Sequence, residues 1–261
     1  MLRFQDQLYQ KLQTVKKLPR SLIIEGESGC GKNTFIEDLS QQFTLPVLDI
    51  SEMISSGLIV DMQLSGCPAI YKINIGKVSI KDQNRLLKIL EEPSDNIFLI
   101  IACENHNQII PTIANRCQIW SFKPYSKSEL AVFNSNELLL KLCKTPGQIE
   151  RYKNLDIEFL YSQAKLILEK ICVATLPNTL SLSKYIAFNE SDSTRKYPVD
   201  LFIKSVALIS TEYYIERSDV KYIQSYKLCE TYLYKLQTPR IDTKYLFDAF
   251  LIELRALMKK E

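Results

Sequence analysis

The chain contains no Cys-x-x-Cys pair, and its single histidine stands apart from any cysteine cluster. A structural zinc site needs four clustered nitrogen or sulfur ligands, so no zinc or other metal site is expected. The seven cysteines are an odd number and show no spacing pattern, which reads as reduced, mostly buried thiols of a cytoplasmic protein. No apolar run approaches the roughly 20 residues a bilayer-spanning helix requires, so no membrane partner is expected. Arg3 and Asp6 interrupt the N-terminal stretch, which excludes the pattern of a secretory signal. The sequence also lacks internal repeats and low-complexity tracts. Its net charge is only +3, too weak a balance to identify a nucleic-acid binder by itself, because local clustering matters more than the sum.

What is present is a chain of 261 residues, 46% hydrophobic, ample for a packed core and for one to three domains. Leu2, Tyr9, Leu12 and Val15 recur at near-helical spacing, so residues 2–16 are expected to form an amphipathic helix. Leu22-Ile23-Ile24 reads as a short buried strand and residues 33–43 as a helix. Residues 45–50, 69–74, 97–101 and 118–122 read as further strands, with helices over 80–90 and 111–115 between them. The uncharged run Ile97-Phe98-Leu99-Ile100-Ile101 is what a parallel strand covered on both faces requires. Strands alternating with helices predict a doubly wound parallel sheet. After Lys123-Pro124 the strand signals stop. Residues 130–143, 157–173 and most of the region beyond Pro198 look helical, punctuated by Pro146-Gly147, Pro177-Asn178 and Pro239. The expected organisation is an α/β domain over 1–122, a small helical domain over 123–175 and a helical C-terminal domain over 176–261.

Gly26-Glu27-Ser28-Gly29-Cys30-Gly31-Lys32-Asn33 follows a strand and opens a helix, matching the phosphate-binding loop pattern at every position but the last. Glycines let backbone N–H groups converge on phosphate oxygens, and the helix N-terminus adds a favourable dipole. Lys32 would reach the terminal phosphates of ATP or ADP. The last position normally offers a hydroxyl to Mg²⁺. Here it is Asn33, and Thr34 comes one residue late, so Mg²⁺ binding is in doubt. Hydrolysis also needs an acidic pair at the end of the third strand, one carboxylate for the metal and one for the attacking water. Ile73-Asn74 stands there instead, and no carboxylate occurs between Asp61 and Asp82. A glycine-rich turn without a ligand is the plainer alternative.

Two further stretches carry a resemblance. Residues 83–93 read Gln-Asn-Arg-Leu-Leu-Lys-Ile-Leu-Glu-Glu-Pro, and residues 104–118 read Glu-Asn-His-Asn-Gln-Ile-Ile-Pro-Thr-Ile-Ala-Asn-Arg-Cys-Gln. With the loop above they resemble the AAA+ clamp-loader family, and within it the branch of bacterial delta-prime subunits. Residues 245–254 are weakly similar to that family's last collar helix. The resemblance implies an AAA+ P-loop domain, a helical lid and a helical collar, and a subunit of a hetero-pentameric DNA sliding-clamp loader. It implies as partners the other loader subunits, the sliding clamp and primer-template DNA. It also implies that Arg116 acts in trans as an arginine finger on a neighbouring subunit's ATP, since a guanidinium stays protonated and matches developing phosphate charge. Asn115 replaces the family's serine, and Arg116 paired with a surface carboxylate is the plainer alternative. Thr145-Pro146-Gly147 falls where active relatives place a second arginine sensor. Too few residues separate Lys32 from Asn74 for the family's zinc module, so a short relative, phage-encoded or cellular, is equally in view.

Lys81, Arg85 and Lys88 recur at i, i+4 and i+7, and would share one helix face preceded by Lys77. Such a stripe suits DNA phosphates, or is a solvated face paired with Asp82 and Glu92. Three functions remain open at this stage. One is a non-hydrolysing loader subunit. Another is an active AAA+ motor subunit of a minimal loader. The third is a P-loop interaction protein of DNA repair.

Overall fold

The computed structural model describes residues 4–54, 67–91, 96–173, 175–180, 186–187, 197–236 and 242–259. These fall into two compact units, one of residues 1–135 and 143–151, the other of residues 136–142 and 152–261. Pro93, expected to stop the helix over 80–90, and Pro239 lie outside the described residues.

In the first unit, five strands form one all-parallel sheet: β1 (Ser21–Glu25), β2 (Val47–Asp49), β3 (Ala69–Asn74), β4 (Ile97–Cys103) and β5 (Gln118–Ser121), in the order β2-β3-β4-β1-β5. Alternate residues of a strand face opposite sides, and the sheet is buried on both. Ile23, Tyr71, Ile73, Leu99 and Ile101 enter one core. Leu22, Ile24, Ile70, Phe98 and Ile100 enter the other, with Phe35 and Trp120. All seven residues of β4 are buried, as its uncharged sequence requires. Helix α1 (Asp6–Thr14) lays Leu8, Tyr9 and Leu12 on the second core. Just before it, the buried Gln5 side chain bonds both the N–H and the C=O of Lys123, each at 3.0 Å, and so acts as a strand partner for the chain leaving edge strand β5.

Helix α2 (Lys32–Phe43) buries Phe35, Ile36 and Leu39. The expected single helix over 80–90 is instead three pieces: α3 (Ile80–Gln83), a 3-10 turn (Asn84–Leu86) and α4 (Leu87–Glu91). Ser79 caps the first piece through a bond from the Asp82 N–H. The short α5 (Pro111–Ala114) begins on a proline whose missing N–H costs a helix start nothing. The expected helix over 130–143 is shorter: α6 (Lys127–Leu130) reaches only its first residue, and α7 (Glu137–Leu142) covers its later part. Ser126 and Glu129 form a reciprocal capping box on α6, and Asn136 accepts from the Leu139 N–H to start α7 anew. Helix α8 (Pro146–Tyr152) follows.

The second unit is mainly helical: α7, α9 (Ile157–Lys170), α10 (Leu176–Leu180), α11 (Val199–Arg217), α12 (Val220–Leu236) and α13 (Thr243–Met258). Strand signals were not expected here, yet two-residue segments β6 (Ile186–Ala187) and β7 (Tyr197–Pro198) pair. Helix α11 packs against α9 and α12, and α13 against α12. Buried Ser210 and Ser225 hydrogen-bond at 3.0 Å between α11 and α12, and Phe202 meets Phe247 edge to face. The Tyr232 hydroxyl donates to Glu253 at 2.8 Å, so the ring is buried without orphaning its polar end.

Candidate functional site

Strand β1 ends at Glu25, and the phosphate-loop residues connect it to α2 at the carboxyl edge of the sheet, where open α/β sheets bind ligands. The Gly26 N–H donates to the Cys103 carbonyl at 3.1 Å, tying the loop to β4. A Cβ on Gly26 would lie 2.7 Å from Cys30 Sγ and 2.8 Å from Phe122 Cβ, so only glycine fits. Gly29 and Gly31 adopt φ of 80° and 106°, the left-handed region that turns the loop.

The loop's carbonyls are all engaged by the chain itself. Lys32 Nζ donates to the carbonyls of Gly26 and, at 3.0 Å, Glu27. Thr145 Oγ1 donates to the Ser28 carbonyl at 2.8 Å, and the Gly147 N–H to the Gly29 carbonyl at 2.9 Å. The Tyr125 hydroxyl donates to the Cys30 carbonyl at 3.1 Å. Burial pushes the Cys30 thiol up, and pushes Cys117 to about 11 and Cys103 to about 12, so these thiols stay protonated at neutral pH. Turning carbonyls outward is what a loop that binds anions through its N–H groups requires. The residues therefore fit a phosphate chain, with Gly26, Ser28, Gly29, Cys30, Gly31 and Lys32 as the cradle and exposed Asn33 and Thr34 at the helix start.

They do not fit a catalytic metal. Asn33 and Asn74 are neutral amides, and Asn74 Oδ1 already accepts from the Gly76 N–H at 3.2 Å. Glu25, the carboxylate that ends β1, is committed elsewhere. It accepts from the His106 N–H at 3.0 Å and from Ser121 Oγ at 2.9 Å, and His106 Nδ1 lies 2.8 Å away. Burial alone would raise the Glu25 carboxyl, but these bonds outweigh it and hold the group below its ordinary value.

Arg116 lies at the other edge of the sheet. It follows α5 and comes two residues before β5, whose Gln118 is level with Leu22 near the start of β1. Four residues of extended chain, Leu22 to Gly26, about 13 Å, separate that level from the start of the phosphate loop. The guanidinium is partly exposed and bounds an open depression of about 420 Å³ with Arg20, Leu90 and Cys117. Its Nη1 donates to the Thr112 carbonyl at 2.7 Å and its Nη2 to Glu91 Oε1 at 2.9 Å. Both sequence alternatives for Arg116 thus meet one fact: the side chain does pair with a surface carboxylate, and it remains accessible.

Lys81, Arg85 and Lys88 are all exposed, but not on one continuous α-helix. Three residues of 3-10 geometry rotate Lys88 by about 60° from its α-helical place. Arg85 is also held inward, by the Ile54 carbonyl at 2.9 Å and Asp82 at 3.2 Å. Neither Glu91 nor the Glu25–His106–Ser121 cluster carries an expected role from the sequence. Glu91 stood inside a recognised motif, whereas the cluster joins residues up to 96 positions apart and left no local signal.

A family model described as DNA polymerase III, delta subunit matches residues 58–126. The DNA polymerase III subunit delta' of Haemophilus influenzae is 29% identical over 110 residues, a match covering 39% of this chain and 32% of that relative. The chain thus spans about a third of the length of the curated relative it matches. Among solved structures, a DNA polymerase III gamma subunit-related protein from Thermotoga maritima is similar at a TM-score of 0.49 and 15% identity, over 97% of this chain and 100% of that one. The Thermotoga maritima RuvB Holliday junction branch migration motor is similar at 0.46 and 14%, over 79% and 70%. Over residues 58–126 the chain is thus similar to the DNA polymerase III delta subunit family, and over 110 residues to a DNA polymerase III delta' subunit.

Proposed function

We propose that the chain is a non-hydrolysing subunit of a DNA sliding-clamp loader, supporting assembly and supplying Arg116 to the ATP site of a neighbouring subunit. The observation that carries this is the separation of its two sites. Arg116 stands at the amino edge of the sheet and the phosphate loop at the carboxyl edge, so Arg116 is out of reach of its own loop and accessible to another chain. The loop keeps the glycine geometry of a phosphate cradle, and ATP or ADP binds there without the carboxylates and hydroxyl that would hold Mg²⁺ for hydrolysis. Lys81, Arg85 and Lys88 face the primer-template phosphates. The helical parts, 123–175 and 176–261, serve as lid and collar within a hetero-pentamer that engages the sliding clamp in the cytoplasm. No helix among the described residues is long and apolar enough to cross a membrane.

The test is co-purification of the tagged chain from its native cell, followed by clamp loading with the recovered complex. Recovery with loader subunits, and loss of loading when the chain is omitted, is the expected result. Recovery with repair proteins alone would overturn it.

A further inference from the structure

We infer that Glu91 is the positioning residue of Arg116, holding its guanidinium in the orientation presented to the neighbouring subunit's phosphate; this rests on the trans role proposed above. The guanidinium is held at two points on two elements. Thr112, in α5, supplies a carbonyl at 2.7 Å, and Glu91, the last residue of α4, a carboxylate oxygen at 2.9 Å. Both elements are anchored: Ile89 and Leu90 of α4 and Ile113 of α5 are buried in one core cluster. A long side chain that would otherwise sample many rotamers is therefore biased toward one plane and direction before any ligand arrives. Two of five N–H donors are used, which leaves three for a phosphate.

The pair itself contributes little to folding. Arg116 is 39% and Glu91 53% exposed, and ion pairs in such settings are weak. Removing the carboxylate should then leave the fold intact and misplace the guanidinium. A misplacement of about 1 Å can cost up to about a hundredfold in rate. Because Thr112 still holds one nitrogen, about a three- to tenfold loss is expected here.

The experiment is a double-mutant cycle in the reconstituted loader, with wild-type, Glu91→Ala, Glu91→Gln, Arg116→Ala and the Glu91→Ala/Arg116→Ala chain at matched assembly. Steady-state ATP turnover is read against ATP concentration. Glu91→Ala should lower kcat with KM unchanged, since ATP is held by the neighbour. Glu91→Gln, which keeps an acceptor oxygen, should recover part of the loss. Glu91→Ala should have no further effect once Arg116 is gone. An equal loss from Glu91→Ala in both backgrounds would make the effect general and overturn the inference. Full turnover in Glu91→Ala beside a loss in Arg116→Ala would remove Glu91 alone. Full turnover in Arg116→Ala would remove the trans role and this inference with it.

Discussion

Gly147 donates its N–H to the Gly29 carbonyl at 2.9 Å, and neither position has room for a side chain. A Cβ on Gly147 would lie 2.6 Å from Gly29 Cα and 2.7 Å from its carbonyl oxygen. The phosphate loop is thereby braced by the start of α8, with Thr145 on Ser28 as a second tie. Gly147→Ala should destabilise the chain by about 1–3 kcal/mol, the usual cost of forcing atoms into a packed contact. Gly76→Ala is the control, because its Cβ would meet only Asn74 Oδ1, at 3.5 Å. Urea unfolding would show a lower midpoint for Gly147→Ala at an unchanged slope. Equal midpoints for the two variants would refute the brace.

The isolated chain should hydrolyse ATP no faster than its Lys32→Ala variant. Lys32 is present at the loop's lysine position, but Asn33 and Asn74 supply neither a hydroxyl nor a carboxylate for Mg²⁺. Robust turnover by the pure chain that Lys32→Ala abolishes would restore the motor-subunit alternative.

Much of the α/β architecture was legible because its signals are local. The run 97–101 lies within fully buried β4, and Ala69–Asn74 is β3 at the residues expected. The turn between β1 and α2 was legible from its glycines. What escaped were features set by competition or distance. The 3-10 turn Asn84–Leu86 interrupts the helix read as continuous over 80–90, and Asn136 caps the Leu139 N–H to start a new helix within 130–143. The brace of Gly147 on Gly29 joins segments 118 residues apart, and no periodicity reports such a contact. Arg116 could be picked out by motif, but its pairing with Glu91 needed the fold.

Acid should act through Glu25. Its carboxyl is held below its ordinary value of 4.5 in the folded chain. The folded state therefore binds a proton less readily than the unfolded state. The stabilisation is complete above pH 4.5 and is lost as pH falls through the folded value below it. Glu25→Gln should flatten this part of the acid limb in a stability profile taken by chemical denaturation. Parallel acid limbs for the two proteins would contradict the assignment.

DNA binding through the basic positions predicts a change in salt dependence. Replacing Lys81 and Lys88 by alanine in the assembled complex should weaken binding and reduce the slope of log K against log salt by about 0.9 for each phosphate no longer neutralised. Arg85→Ala should in addition lower stability, because Arg85 also bonds the Ile54 carbonyl and Asp82. An unchanged slope in the Lys81/Lys88 variant would leave these residues a solvated face.

The central claim is that Arg116 works on another subunit's nucleotide. Steady-state ATP turnover by the reconstituted loader, with DNA and clamp present, tests it most directly. An arginine supplied in trans is worth about 10³–10⁵ in rate in GTPases, and a loader with several sites should lose less in total because the others keep their own arginines. Arg116→Ala should assemble normally and lower stimulated turnover, and Arg116→Lys should rescue poorly because an ammonium lacks the planar fork. Full stimulated turnover in a correctly assembled Arg116→Ala complex would contradict the trans role and leave the chain a scaffold.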